Sequence, residues 1–219
     1  MKSKEHPPFA WQERAWKSHW AGHHGLILAS TGMGKTKAAW LGPLGDWLQN
    51  PLAKEHWPDR KRQPASPPLL ALWITPLRAL ANDTCLALDE CIRGLKVPWS
   101  LEQRTGDTSS SVKLRQRQSP PTAMVITPES LTLMLSYPES LHTFKHLRTV
   151  IVDEWHELLG SKRGIQTELA LARLSRIAPS VRRWGVSATI GNIDHAMASL
   201  IGQSSGAPCS IIQSDQQRS

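Results

Sequence analysis

Residues 29–36 read Ala-Ser-Thr-Gly-Met-Gly-Lys-Thr and constrain the fold more than any other stretch of this chain. An apolar run precedes them and a helical pattern follows. A strand, a glycine-rich turn and a helix in that order make a Walker A loop, here with Ala29 in place of the first glycine. Gly32 and Gly34 open backbone conformations closed to other residues, so successive N–H groups can converge on phosphate. The N-terminus of the following helix adds partial positive charge. Thr31, Gly32, Met33, Gly34, Lys35 and Thr36 are therefore the nucleotide-binding candidates. Lys35 is expected to reach the β and γ phosphates, and the Thr36 hydroxyl to coordinate Mg²⁺.

Such a loop belongs to an α/β fold, and the rest of the chain agrees. Nearly continuous apolar runs at residues 26–29, 69–75, 123–127, 149–152 and 184–187 suit strands covered on both faces. A sixth candidate is 98–104. Helical patterns lie between them, at 35–48, 77–91, 164–177 and 192–201. In the third, Ile165, Leu169 and Ala172 form an apolar stripe expected to face the sheet. Asn192 or Asp194 is the expected cap of the fourth. The fold expected is a mostly parallel central sheet with helices on both faces. Residues 50–68 hold five prolines and Arg60, Lys61 and Arg62, and read as a surface loop. Residues 202–219 are polar apart from Ile211 and Ile212, and read as a linker or an edge strand.

The second chemical feature is Asp153-Glu154 at the end of an apolar strand. Ligands of open α/β sheets collect at the carboxyl ends of strands, which would set these acids beside the phosphate loop. Asp153 is expected to hold Mg²⁺, and Glu154 to orient and deprotonate the attacking water. Lys35, Asp153 and Glu154 form the catalytic set.

Lysine and arginine outnumber aspartate and glutamate by 26 to 18, a formal charge of +8, which points toward a polyanionic partner. No apolar stretch reaches the roughly 20 residues of a membrane span. The N-terminal residues do not resemble a secretion signal. Three cysteines, Cys85, Cys91 and Cys209, form no CxxC pair, as expected of a reduced cytoplasmic compartment. The ten tryptophans read mainly as packing residues rather than base-stacking ones.

Asp153-Glu154-Trp155-His156 resembles motif II of the DExH helicases of superfamily 2. Other segments follow in that family's order. Residues 75–80 resemble motif Ia, and Thr105-Gly106-Asp107 resembles motif Ib. Thr127-Pro128-Glu129-Ser130 resembles the motif after it, and Ser187-Ala188-Thr189 resembles motif III. Phe9 and Gln12 look like an adenine-reading motif. Residues 75–88 and 152–172 carry a narrower resemblance to the large helicase-related (Lhr-type) proteins, in particular the bacterial ligase-associated ones.

The resemblance implies a first RecA-like domain at residues 1–201. Residues 202–219 would be a linker or the start of a second such domain. It implies ATP and Mg²⁺ as cofactors, with Phe9 and Gln12 adding to the nucleotide site. Arg78, Thr105, Gly106, Asp107, Thr127 and Ser130 would lie along a nucleic-acid strand. Ser187 and Thr189 would couple the two sites, and His156 would bridge to the second domain. The implied activity is ATP-driven 3′→5′ translocation in DNA repair, on single-stranded DNA with RNA as the alternative. A DNA ligase is among the implied partners. Arginine fingers would come from the second domain; the competing sources are Arg182 or Arg183 in cis, or a dimer in trans. Two other classes compete. One is a non-catalytic module that holds nucleotide and nucleic acid. The other is a small-molecule kinase, which motifs Ib and III and the lack of an arginine-rich lid disfavour.

Overall fold

The computed structural model describes residues 7–52, 54, 57, 66–202, 206 and 208–214. Seven strands form one sheet in the order β3-β4-β2-β5-β6-β1-β7. They are β1 (His24–Leu28), β2 (Ala71–Ile74), β3 (Leu101–Arg104), β4 (Ala123–Ile126), β5 (Thr149–Val152), β6 (Arg182–Ser187) and β7 (Cys209–Gln213). Every neighbouring pair is parallel. The expectation of a mostly parallel sheet is met in full.

Side-chain alternation divides each strand between two cores. Leu72, Ile74, Met124, Ile126, Val150 and Val152 point to one face. There they meet α5 (Pro128–Ser136), α6 (Ser140–Phe144), α7 (Trp155–Leu158), α8 (Lys162–Ile177) and α9 (Ile193–Ile201). Ala71, Trp73, Ala123, Val125 and Ile151 point to the other. That face is covered by α1 (Ala10–Trp20), α2 (Lys35–Gln49) and α3 (Ala81–Gly94). The remaining helix, α4 (Ser110–Gln118), follows β3. Asn192 caps α9, its side chain accepting from the His195 N–H.

Two expectations are corrected. The stripe of Ile165, Leu169 and Ala172 faces outward, with Ile165 58% and Leu169 68% exposed. Helix α8 docks instead through Thr167, Ala170, Leu171 and Leu174. Thr167 can be buried there because its hydroxyl donates to the Arg163 carbonyl (2.8 Å). A search for apolar residues alone passes over such a threonine.

The helix expected over 77–91 starts later, at Ala81, behind a 3-10 turn at Arg78–Leu80. Of the two readings of the C-terminal segment, the edge strand is the one formed. Residues 209–213 form β7, paired with β1 along its whole length, and the Ser214 N–H donates to the Leu28 carbonyl (3.0 Å). The domain body therefore runs past residue 201 to at least Ser214. Ile212 is buried and Ile211 exposed, the alternation of a strand covered on one face. Residues 60–62 of the basic loop lie outside the described residues. Among the described residues, no helix is long and apolar enough to cross a membrane.

At the opposite end of the sheet two histidines are held neutral. Burial, followed by the charge of Arg182, pushes His19 well below the usual histidine range. Burial, with Arg183 and then Arg182, lowers His24 to about 4. The Nδ1 of His24 accepts the Arg183 N–H (3.0 Å). In the unfolded chain both would protonate near pH 6.5. The unfolded state therefore binds more protons below that pH, so stability is present above 6.5 and is lost as pH falls toward 4. The midpoint of thermal unfolding should drop across this window. It should drop less in His24→Gln, which retains an acceptor and cannot titrate. Equal slopes in the two proteins would remove His24 from the account.

Candidate nucleotide and nucleic-acid site

Strand β1 delivers the chain into residues 29–34 and α2 carries it away. Gly32 and Gly34 have φ of 82° and 81°, the left-handed region the motif requires. Gly34 is also crowded. A Cβ there would lie 2.7 Å from the side-chain nitrogen of Gln12. That amide donates to the Gly34 carbonyl (3.2 Å), while its oxygen accepts the Phe9 N–H (3.0 Å). Gln12 thus ties α1 to the phosphate loop. Phe9 stays 48% exposed, stacked on Trp11.

Lys35 is 8% exposed and its ammonium nitrogen has no hydrogen-bond partner. An unpaired buried ammonium is costly unless an anion completes it. It borders a pocket of about 360 Å³, together with Thr31, Gly32, Thr36, Asp153 and Glu154. The N–H groups at the start of α2 have no side-chain cap. A phosphate chain would satisfy both.

Asp153 leaves β5 beside the loop. Its Oδ1 accepts the Glu154 N–H (2.9 Å) and its Oδ2 accepts the Trp73 indole N–H (3.2 Å). Burial, then the charge of Glu154, pushes Asp153 up to about 6, against the two hydrogen bonds and the charge of Lys35. A cation at this carboxylate would relieve the penalty. Among the described residues no cluster of three or more His, Cys, Asp or Glu side chains could hold a metal alone. Thr36 and Asp153 offer two hard oxygens, fewer than the octahedron of Mg²⁺. The residues therefore fit an ion that shares the phosphates of a nucleotide. Glu154 sits at φ 43°, ψ 48°, a left-handed conformation uncommon outside glycine. Such backbone strain clusters at functional sites.

His156 Nδ1 lies 2.9 Å from the Ser187 hydroxyl and 3.5 Å from Glu154 Oε2. The Ser187 hydroxyl also lies 3.3 Å from the Thr189 carbonyl, which can only accept. Ser187, Thr189, His156 and Glu154 are thus connected, with Ser187 buried and Thr189 exposed.

The proposed strand contacts divide into two groups. Arg78 lies over Gly106, where a Cβ would come within 3.1 Å of its guanidinium, and pairs with Asp107 at 3.8 Å. The Thr105 hydroxyl accepts the Asp107 N–H (3.2 Å) and holds the turn. These four residues meet beyond the ends of β2 and β3. Thr127 and Ser130 are buried, and the hydroxyl of the first donates to that of the second (3.1 Å). Their side chains point inward rather than along that surface.

Two functional residues escaped sequence reasoning. Arg163 donates to the Pro76 carbonyl and to both carboxylate oxygens of Glu129, joining the loops after β2 and β4. Trp73 holds Asp153. Arg163 lies within the 152–172 segment that resembles the Lhr-type proteins, but nothing in that segment marks its partners, and no motif marks Trp73. Arg182 and Arg183 are ruled out as fingers in cis. They open β6, at the far end of the sheet, where Arg182 pairs with Asp46 (2.8 Å) and Arg183 is buried.

Comparison with known proteins agrees with this geometry. The DEAD/DEAH box helicase model matches residues 9–196. The Escherichia coli Lhr helicase/uracil glycosylase is 33% identical over 206 residues, covering 89% of this chain and 13% of that protein. The ATP-dependent helicase Lhr-Core of Methanocaldococcus jannaschii is 34% identical, covering 92% and 24%. The structure of Mycobacterium smegmatis helicase Lhr bound to ssDNA and AMP-PNP superposes with a TM-score of 0.73 at 31% identity, covering 95% of this chain and 26% of that one. This chain therefore spans between 13% and 26% of the length of these relatives. With the phosphate loop, the acidic pair and the parallel sheet in place, a match over most of its length is decisive: the chain belongs to the DEAD/DEAH box helicase family.

Proposed function

We propose that this chain is the ATP-binding RecA-like domain of an Lhr-type, ATP-driven nucleic-acid translocase. The observation that carries the reading is the unpaired Lys35 ammonium facing Asp153 and Glu154 across one pocket. Lys35 and the α2 N-terminus bind phosphate, and Glu154 takes a proton from water. Thr36 and Asp153 would hold Mg²⁺, which when bound neutralises charge on the phosphates. Gln12 braces the loop, and exposed Phe9 offers a ring to the adenine. Arg78, Thr105, Gly106 and Asp107 form the strand-binding surface, with Thr127 and Ser130 supporting it from beneath. His156, Ser187 and Thr189 couple the two sites. Single-stranded DNA is the favoured strand, in keeping with the ssDNA-bound Lhr relative. A 3′→5′ direction, a repair setting, a ligase partner, a cytoplasmic location and a second RecA-like domain follow from the family resemblance.

Lys35→Ala should weaken binding of a labelled ATP analogue by roughly 10- to 100-fold, the loss of a charged hydrogen bond. Glu154→Gln should keep that affinity and lower turnover by about 10²-fold or more. Unchanged affinity in Lys35→Ala would sink the site assignment.

Arg78→Ala should weaken single-strand binding alike for all base sequences. It should also reduce the log–log salt slope by about 0.7, the share of one neutralised phosphate. An unchanged slope would take Arg78 out of the strand path.

Among the described residues no arginine lines the pocket. Arginine fingers contribute about 10³–10⁵-fold to phosphoryl transfer. The chain alone should therefore bind ATP yet turn it over more slowly than about 1 s⁻¹. This is also the observation that favours the second reading, a stand-alone binding module. A steady-state assay at several protein concentrations measures it, and turnover at or above that rate would contradict the expectation.

A further inference from the structure

Asp153 has both carboxylate oxygens held by the protein. Glu154 N–H takes Oδ1, and the Trp73 indole N–H takes Oδ2 from the neighbouring strand. The terminal torsion of a carboxylate is soft, so hydrogen bonds decide its orientation. One bond would leave the group free to swing about the bonded oxygen, whereas two on opposite oxygens fix its plane.

The indole is itself anchored. Trp73 is buried in β2, and β2 pairs with β5 in register Trp73↔Ile151, two residues before Asp153. Its ring meets Trp40 edge-on, with centroids 6.3 Å apart and planes at 80°. Trp40 belongs to α2, the helix that opens with Lys35 and Thr36, and its own N–H donates to the Leu88 carbonyl of α3 (3.1 Å). The carboxylate is thus referenced, through two indoles, to the helix that carries the phosphate loop. An indole N–H neither titrates at working pH nor carries a charge. It orients the carboxylate without competing with a cation for it.

We propose that Trp73 is a positioning residue that presents the Asp153 carboxylate to Mg²⁺ in the nucleotide complex. The inference rests on the reading of this pocket as a Mg²⁺–ATP site.

Trp73→Phe deletes the N–H and keeps an aromatic ring against Trp40. Binding of a fluorescent ATP analogue would be measured in EDTA and across a Mg²⁺ titration. Affinity in EDTA should stay within about twofold of wild type. The Mg²⁺ concentration for half-maximal enhancement should rise roughly 10-fold, as for other partners of metal-binding groups. An unchanged Mg²⁺ midpoint overturns the proposal. So does an equal loss of affinity with and without Mg²⁺, the mark of a packing defect. Wild-type protein that bound no nucleotide would overturn the proposed function itself, a separate outcome. A second measurement does not depend on the folding of Trp73→Phe. The ¹⁵N–¹H resonance of the Trp73 indole should move when Asp153→Asn removes the charged acceptor. A resonance that stays in place overturns the proposal.

Discussion

Parallel pairing is the constraint from which the rest of this structure follows. Seven parallel strands leave the sheet at the same rim, and every return connection crosses one of its faces. Both faces are then sealed by helices, so chemistry is confined to the rim. The phosphate loop after β1, the Arg78 turn after β2, the Thr105 turn after β3, the acids after β5 and Ser187 of β6 all lie there. The arrangement concentrates charge where water is scarce. Lys35 is buried without a partner, and Asp153 is driven up to about 6. The site is electrostatically unfinished in a way a nucleotide with its cation would complete. The two apolar cores offset the penalty in the meantime.

The two cores differ in kind. The α5–α9 face is mostly aliphatic, with Trp155 and Phe144 as its large aromatics. The α1–α3 face holds Trp11, Trp40, Trp47, Trp73, Trp99 and Trp184. A buried indole brings a large apolar area and an N–H that seeks a partner. Trp40 finds the Leu88 carbonyl, Trp184 the His23 carbonyl, and Trp73 the Asp153 carboxylate. These bonds fix angles between elements, which aliphatic packing does less well. Of these indoles, Trp73 reaches the site through Asp153, and Trp40 lies on the helix that Lys35 opens.

The motifs were legible in the sequence because each is a local pattern with a mechanism. Thr31–Thr36 needs two glycines and a lysine in fixed order, and Asp153-Glu154 needs a strand before it. The illegible features depend on what comes to lie opposite. Leu169 and Leu171 are equally apolar, and only the sheet decides that Leu171 is the buried one. The hydroxyls of Thr127 and Ser130 suit a phosphate, yet both residues are buried and the first donates to the second. Residues 209–213 carry a weak strand signal and become a strand because β1 offers an unpaired edge. Arg163 and Trp73 act through residues 34 and 80 positions away.

The same constraint explains why, among the described residues, no arginine joins Lys35 in the pocket. Arg182 and Arg183 neighbour motif III in sequence, which made them candidates. In a strand, however, sequence distance is axial distance, about 3.3 Å per residue. Arg182 opens β6 and Ser187 closes it, so roughly 16 Å of strand separates the arginine backbone from the catalytic rim. An arginine side chain cannot span that length, and Arg182 is already drawn to Asp46 at the far end. In a parallel sheet, residues that begin strands are excluded from the chemistry as firmly as those that follow them are recruited. Among the described residues, the cations that line the pocket are Lys35 and Lys37. The strained Glu154 and the His156–Ser187 pair border that site. Through the Ser187 hydroxyl they reach the Thr189 carbonyl.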